Sequence, residues 1–578
     1  MIGQQPTRIS AVAAAPGVVR GRWTELRRTA LPAPRRIDAS DIPAEVERLR
    51  AAANEAALEL MALSDEVAGQ GHEAESAIFA AHAAIAWDPA VLDEAIGTIE
   101  STRTDGGSAI LEAGHAAAAR LAAVADPLIR ARAADILDVT DRIARRLAGL
   151  PAEEELLPEP AIVVADDLAP SLTATLPRER VLGIALESGS ATAHAAILAR
   201  AYGIPAVVGA SGLLSTLRAA DAGIELAIDG ATGEVIVGPD DVDRQRFDGR
   251  QAEIEAARSR DLDEASLDAV TSDGAAVTLL ANIGGPDEAP AAVALGAHGV
   301  GLFRTEFLFL ERAAPPTEDE QTDAYRRVVQ AFGGDPVTIR LLDVGGDKPI
   351  PYLSLPAEDN PFLGVRALRL ADRRPDLFVT QLRACYRAAA AGPVKVMAPM
   401  IADASDVAIL EDLAQRARAG LETDGVPIGA VTHGVMLEIP SAVLTGRQWF
   451  GRVGFASLGT NDLLQYALAV DRGNPALERY RDALHPALLR LVRLAAEAAA
   501  ATGIELSVCG EMAGDPAAAL ALVGLGIRSL SMSAPSLAAV RRAIRGASLD
   551  TLQSTSVAAL DDDGAAAVRA RFNALLPA

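Results

Sequence analysis

The stretch Gly299-Val300-Gly301-Leu302-Phe303-Arg304-Thr305-Glu306 sets the pattern on which the fold turns: a short apolar run that ends on charged and polar residues. The same layout returns at Val277 to Ala281, Val337 to Leu342, Val394 to Met397, Gly434 to Glu438, Phe455 to Leu458, Glu505 to Val508 and Ser529 to Met532, with helical spacing between the runs. Short strands alternating with helical segments predict βα units in a parallel sheet. About eight such units in roughly 310 residues predict a (β/α)8 barrel, in which functional groups collect where strands end.

Upstream, the character of the chain changes twice. Short apolar runs at Ile9 to Ala14 and Val18 to Trp23, separated by Pro16 and Gly17, read as strands. From about Ala39 to Leu150, Ala, Leu, Glu and Arg at helical spacing predict an all-helical block of four or so helices. Turns are expected near Gly69 to Gly71, at Asp88-Pro89, at Asp105 to Gly107 and at Asp126-Pro127. β-branched runs then resume at Ile162 to Val164, Val207-Val208 and Val235 to Val237, so the helical block reads as an insertion in an α/β domain. The acidic, polar stretch from Asp240 to Leu267 reads as a connecting helix. The expected layout is a multidomain α/β chain: residues 1–35 and 151–238 form the α/β domain, 36–150 the helical insert, 239–267 a linker helix and 268–578 the barrel.

Composition narrows the function classes. A chain of 578 residues suits two to four domains of about 100–200 residues each. A net charge of -25 disfavours nucleic acid and anionic membrane surfaces as main partners. Charge interrupts every apolar run before the roughly 20 residues of a spanning helix, and the N-terminal run is too short for a signal peptide. The two cysteines, Cys385 and Cys509, supply neither a disulfide framework nor a thiolate zinc cluster, so a reduced, cytoplasmic setting is expected. Lysine occurs only at Lys348 and Lys395, which makes both conspicuous in a chain that otherwise uses arginine.

Several polar residues fit a phosphoryl-handling site. His194 follows Gly189-Ser190-Ala191-Thr192-Ala193 and precedes a helix-forming run to Arg200, so small neighbours give phosphorus access to an imidazole near a helix N-terminus. On these residues alone, a buried structural histidine is the commoner reading. Arg304 and Arg340 end neighbouring barrel strands and form a clamp for phosphate or carboxylate oxygens, with rim salt bridges as the alternative. Asp343 to Lys348 adds a glycine turn carrying a cation. Glu438 and Asp462 bring two hard oxygen ligands from two strand ends, a plausible Mg2+ pair or two unrelated carboxylates. Asn461 and Arg472 suit a substrate carboxylate. Cys509 ends a strand as a proton donor or nucleophile, or as an inert buried thiol.

Taken together, the His194 segment, GVGLFRTEFLFL (299–310), DVGGDK (343–348), NPFLGVR (360–366), SLGTNDLLQYALAVDRGN (457–474) and CGEMAGD (509–515) resemble enzyme I of the phosphoenolpyruvate-dependent sugar phosphotransferase system in order and spacing. The resemblance covers nearly the whole chain. It implies a swivelling phosphohistidine α/β domain, an inserted carrier-binding helical domain and a barrel that binds phosphoenolpyruvate and mediates homodimerisation. It further implies Mg2+ on Glu438 and Asp462, substrate phosphate on Arg304, Arg340 and Lys348, and substrate carboxylate near Asn461 and Arg472. His194 would take the phosphoryl group, Cys509 would protonate the enolate to pyruvate, and the carrier HPr would receive the phosphoryl group.

Two departures stand out. The family's Gly-Gly-x-Thr-Ser before the histidine is Gly189-Ser190-Ala191-Thr192-Ala193 here, and its Phe-Glu-x-His is Phe79-Ala80-Ala81-His82. Dikinase-type relatives are disfavoured, because too few residues precede His194 for an ATP-grasp domain. A non-catalytic phosphoenolpyruvate sensor is disfavoured by the retention of His194, both arginines, both carboxylates and Cys509.

Overall fold

The computed structural model describes residues 6–26, 31–69, 73–123, 127–150, 157, 159–168, 176–188, 196, 199–200, 203–221, 223–309, 314–345, 352–353, 358–471 and 474–577. Two compact units divide the chain, Met1–Arg258 and Ser259–Ala578.

The first unit combines strands with an interposed helical block. Strands β1 (Thr7–Ser10), β2 (Val12–Ala15), β3 (Val18–Gly21) and β4 (Trp23–Glu25) precede helices α1 (Ile42–Gly69), α2 (Glu73–Ala86), α3 (Pro89–Thr102), α4 (Gly106–Ala122) and α5 (Pro127–Leu147). Strands β5 (Ala161–Ala165), β6 (Val181–Leu186), β7 (Ala206–Val208), β8 (Leu226–Asp229) and β9 (Glu234–Val237) follow. One sheet runs β2-β7-β6-β5-β4 and a second runs β1-β9-β8-β3. Parallel pairing of β4 with β5, with Trp23 opposite Ile162, makes sheet neighbours of two strands that are separated in sequence by the five helices. An inserted helical block is the direct consequence.

The turn residues act through recognisable chemistry. Asp88 caps α3 by accepting from the Ala90 amide, with Pro89 at the first helical position. Asp105 caps α4 by accepting from Ser108 N at 3.0 Å. Gly114 lets α4 and α5 pack closely, since a Cβ there would lie 2.3 Å from Thr140 Oγ1. Among the described residues, five helices form where four or so were expected. The polar helix Asp241–Asp263 ends four residues before the expected Leu267.

The second unit is a closed barrel. Strands β11 (Ala276–Ile283), β12 (Val300–Phe303), β13 (Val337–Arg340), β14 (Val394–Ala398), β15 (Val431–Leu437), β16 (Phe455–Leu458), β17 (Glu505–Val508) and β18 (Ser529–Met532) pair in parallel in chain order, and β11 pairs with β18 to close the ring. A short β10 (Ala269–Val270) pairs antiparallel with β11 outside the ring. The eight-stranded barrel is the expected one, and its apolar shell is a single continuous core running from Ala269 to Phe572. Parallel strands covered by helices explain the near-continuous burial of β12, β13, β16 and β18.

Candidate active site

The C-terminal ends of the barrel strands bring together residues far apart in sequence. β12 delivers Arg304, β13 delivers Arg340, β15 leads to Glu438, β16 leads through Thr460 to Asp462, and β17 leads to Cys509. Gly510 is required by this convergence, because a Cβ there would meet Thr460 Oγ1 at 2.0 Å. Lys348, Arg472 and His194 lie outside the described residues.

The two strand-end arginines differ in kind. Arg340 is buried and donates to Glu306 through Nη2, while Nη1 lies 3.3 Å from Asp343. Burial lowers its pKa, but Glu306, Asp343 and Glu438 outweigh that cost and hold the guanidinium above its ordinary value. Arg304 is half-exposed and, among the described residues, has no carboxylate within ion-pair reach. Its charge is available to an incoming anion.

Glu438, Asp343 and Asp462 share this rim with Glu306. Glu438 is 1% exposed and accepts from the Met400 amide at 2.6 Å. Burial, with Asp343 and Asp462 nearby, pushes its carboxyl up to about 8. Arg366 Nη2 lies 3.0 Å from both oxygens of Asp343 and 3.6 Å from Asp462 Oδ2. Arg366, Asp343 and Glu306 are site residues to which the sequence alone assigns no role. Asp343 and Arg366 sit in irregular segments and Glu306 opens a single 3-10 turn, so no periodicity marks direction at any of the three.

Cys509 is 2% exposed, and its Sγ lies 3.7 Å from the Leu458 carbonyl oxygen. Burial pushes the thiol up to about 11, so it holds its proton through the neutral range. Asn282 Nδ2 donates to the Cys509 carbonyl at 3.0 Å, which fixes the strand end. Asn461 is half-buried, and its Oδ1 accepts from the Glu511 amide at 3.1 Å. Tyr466 donates to the Phe362 carbonyl at 2.7 Å, with burial raising its hydroxyl to about 12.

The donor chemistry fits a hard divalent cation. Among the described residues, no group of three or more His, Cys, Asp or Glu is preassembled as a ligand cluster. Magnesium does not need one, because one or two carboxylates with water and substrate phosphate oxygens complete its octahedron. The raised Glu438 carboxyl beside two other acids marks a place where a cation would relieve repulsion.

The sequence matches three consecutive domain families: "PEP-utilising enzyme, N-terminal" over residues 10–132, "PEP-utilising enzyme, mobile domain" over 157–233 and "PEP-utilising enzyme, PEP-binding domain" over 258–549. Fold and matches together define the class as phosphoenolpyruvate-utilising enzymes. The phosphoenolpyruvate-protein phosphotransferase of Streptomyces coelicolor is 42% identical over 579 residues, with 99% of each chain covered. That of Geobacillus stearothermophilus is 39% identical, with 93% of each covered. A multiphosphoryl transfer protein of Rhodobacter capsulatus is 43% identical over 88% of this chain, which spans 61% of that longer relative. The chain belongs to the phosphoenolpyruvate-protein phosphotransferase family and is a phosphotransferase enzyme.

Among the described residues, no helix is long and apolar enough to cross a membrane.

Proposed function

We propose that the chain moves the phosphoryl group of phosphoenolpyruvate to His194 and from there to a histidine of an HPr-type phosphocarrier, releasing pyruvate as the first step of sugar uptake by the phosphotransferase system. The observation that carries this reading is the convergence at one barrel rim of Arg304, Arg340, Glu438 and Asp462 with the protonated thiol of Cys509. Phosphoryl transfer depends mainly on positioning and charge neutralisation, which such a rim supplies.

In this reading Arg304 and Arg340 bind the substrate phosphate, joined by Lys348, while Asn461 and Arg472 hold its carboxylate. Glu438 and Asp462 hold Mg2+, which when bound neutralises developing charge on the transferred group and the enolate oxygen. The His194 ring nitrogen forms a bond to phosphorus as the bond from phosphorus to the enol oxygen breaks. Cys509 gives its proton to the methylene carbon of the enolate, yielding pyruvate and a thiolate that regains a proton from solvent. Asp343 and Arg366 position the rim.

The helical block of residues 36–150 docks the carrier, the α/β domain of residues 1–35 and 151–238 carries His194, residues 239–267 link it to the barrel, and residues 268–578 bind substrate and form the homodimer. The chain works in the cytoplasm. The test is pyruvate formation from phosphoenolpyruvate and Mg2+ with and without added HPr. Multiple turnovers only with the carrier support the reading, whereas a sensor homologue forms no pyruvate in either case.

A further inference from the structure

At the end of the barrel opposite Arg304, Arg340 and Glu438, the strand starts enclose a cavity of about 440 Å³. That volume falls within the range of small-molecule sites. Barrel bottoms ordinarily serve stability and are filled by side chains, so an open chamber with polar groups in its lining calls for a reason.

The lining has three components. Hydroxyls of Thr278, Thr338, Ser507 and Ser529 border the cavity, and none of the four engages in a hydrogen bond among the described residues. One wall is apolar, formed by Leu280, Phe455 and, from the helix Pro486–Thr502, Ala496 and Ala499. The third component is charge. Lys395 is paired with Glu505 at 2.5 Å and sits 5.3 Å from the centroid of the Phe455 ring. Arg528 spends one nitrogen on the carbonyls of Val523 and Ile527, at 2.8 and 2.9 Å, and has no carboxylate within ion-pair reach among the described residues.

Burial pushes the Arg528 guanidinium below its ordinary value, the mark of a cation kept in place without a counter-ion. One positive charge is therefore unmatched in a chamber that also offers free hydroxyls and an apolar wall. Leu302, Met397, Met436, Phe455 and Cys509 form one buried apolar cluster, which runs from Phe455 at this chamber to Cys509 at the rim.

We propose that the chamber is a second ligand site, which takes a small organic monocarboxylate with an aromatic or branched body and a further oxygen. Arg528 receives the carboxylate, the Thr and Ser hydroxyls receive the second oxygen, and the body packs against Leu280, Phe455 and Ala499. A phosphate dianion fits less well, since one unmatched cation and the adjacent Glu505 oppose a second negative charge.

The experiment is calorimetric titration of the full chain with 4-hydroxyphenylacetate, using tyrosol and tyramine as neutral and cationic counterparts of the same body. The expected result is saturable binding of the carboxylate, at least about tenfold tighter than tyrosol, with no binding of tyramine. Arg528→Gln weakens it about tenfold, Glu505→Gln tightens it, and Ala500→Trp at the exposed lip abolishes it with an unchanged melting temperature. Ala500→Trp alone decides the matter if Arg528→Gln does not fold. Saturating phosphoenolpyruvate leaves the affinity unchanged. Absence of saturable binding, equal binding of tyrosol, displacement by phosphoenolpyruvate or full binding by the Ala500→Trp protein overturns the proposal.

Discussion

Arg366 and Asp343 are locked together at the barrel rim, one guanidinium nitrogen lying 3.0 Å from each carboxylate oxygen, with both side chains nearly fully buried. Because the same nitrogen is 3.6 Å from Asp462, Arg366 offsets two acids at once. Removing one member of such a buried pair leaves an uncompensated charge. Arg366→Ala should cost about 3–5 kcal/mol in denaturant unfolding. The double variant Arg366→Met with Asp343→Leu should recover a large part of that loss, and failure to recover would contradict the assignment.

Glu438 gives a pH dependence of definite sign. Its folded carboxyl is raised to about 8 from 4.5, so the folded state holds that proton more tightly than the unfolded chain. The associated stability is fully present below 4.5 and is lost as pH rises through about 8. The metal-free protein should therefore lose stability over that window relative to Glu438→Gln, as read by thermal unfolding. Mg2+ binding near pH 7 should release close to one proton, detected by calorimetry in buffers of different ionisation enthalpy, and Glu438→Gln should abolish the release.

Arg304 and Arg340 should separate in their consequences. Arg304→Ala should lower kcat/KM for phosphoenolpyruvate by about 10²–10³ with little change in melting temperature, since Arg304 is half-exposed and acts on Glu288 only through its field. Arg340→Ala should lose activity and also unfold more readily, because Glu306 and Asp343 lose a buried partner.

A thiol held near 11 is a proton store at neutral pH. Cys509→Ala should slow pyruvate formation by about 10²–10⁴ in quenched-flow measurements, while phosphoryl transfer to the protein falls less. Equal losses in both steps would contradict a role confined to enolate protonation.

The sequence showed much of this because strand ends are chemically marked. β12 and β16 begin or end within a residue of the expected positions, since apolar runs stop at Arg304 and at the polar Thr460-Asn461-Asp462. β15 instead starts at Val431, before the expected Gly434, because its first residues face β14 through Thr432 and His433 pairing rather than through an apolar signal. Asp343, Arg366 and Glu306 were on view as letters, but only strand register reveals which charges they meet. The split of the first four strands between two sheets is likewise a long-range pairing outcome, with β1 and β3 in one sheet and β2 and β4 in the other.

In the helical block, Ala80 is exposed where the family carries Glu, while the neighbouring His82 is buried 3.3 Å from Asp135 and 3.6 Å from Asp138. Ala80→Glu should lower KM for HPr severalfold without changing kcat, measured in the carrier-dependent pyruvate assay.

Everything proposed for the barrel rim serves one event, the transfer of a phosphoryl group from phosphoenolpyruvate to His194. Intact-protein mass after mixing with phosphoenolpyruvate and Mg2+ tests it most directly. One acid-labile phosphoryl group is expected on the wild-type chain and none on His194→Ala. Phosphorylation that persists in His194→Ala, or a wild-type chain that gains no mass, would contradict it.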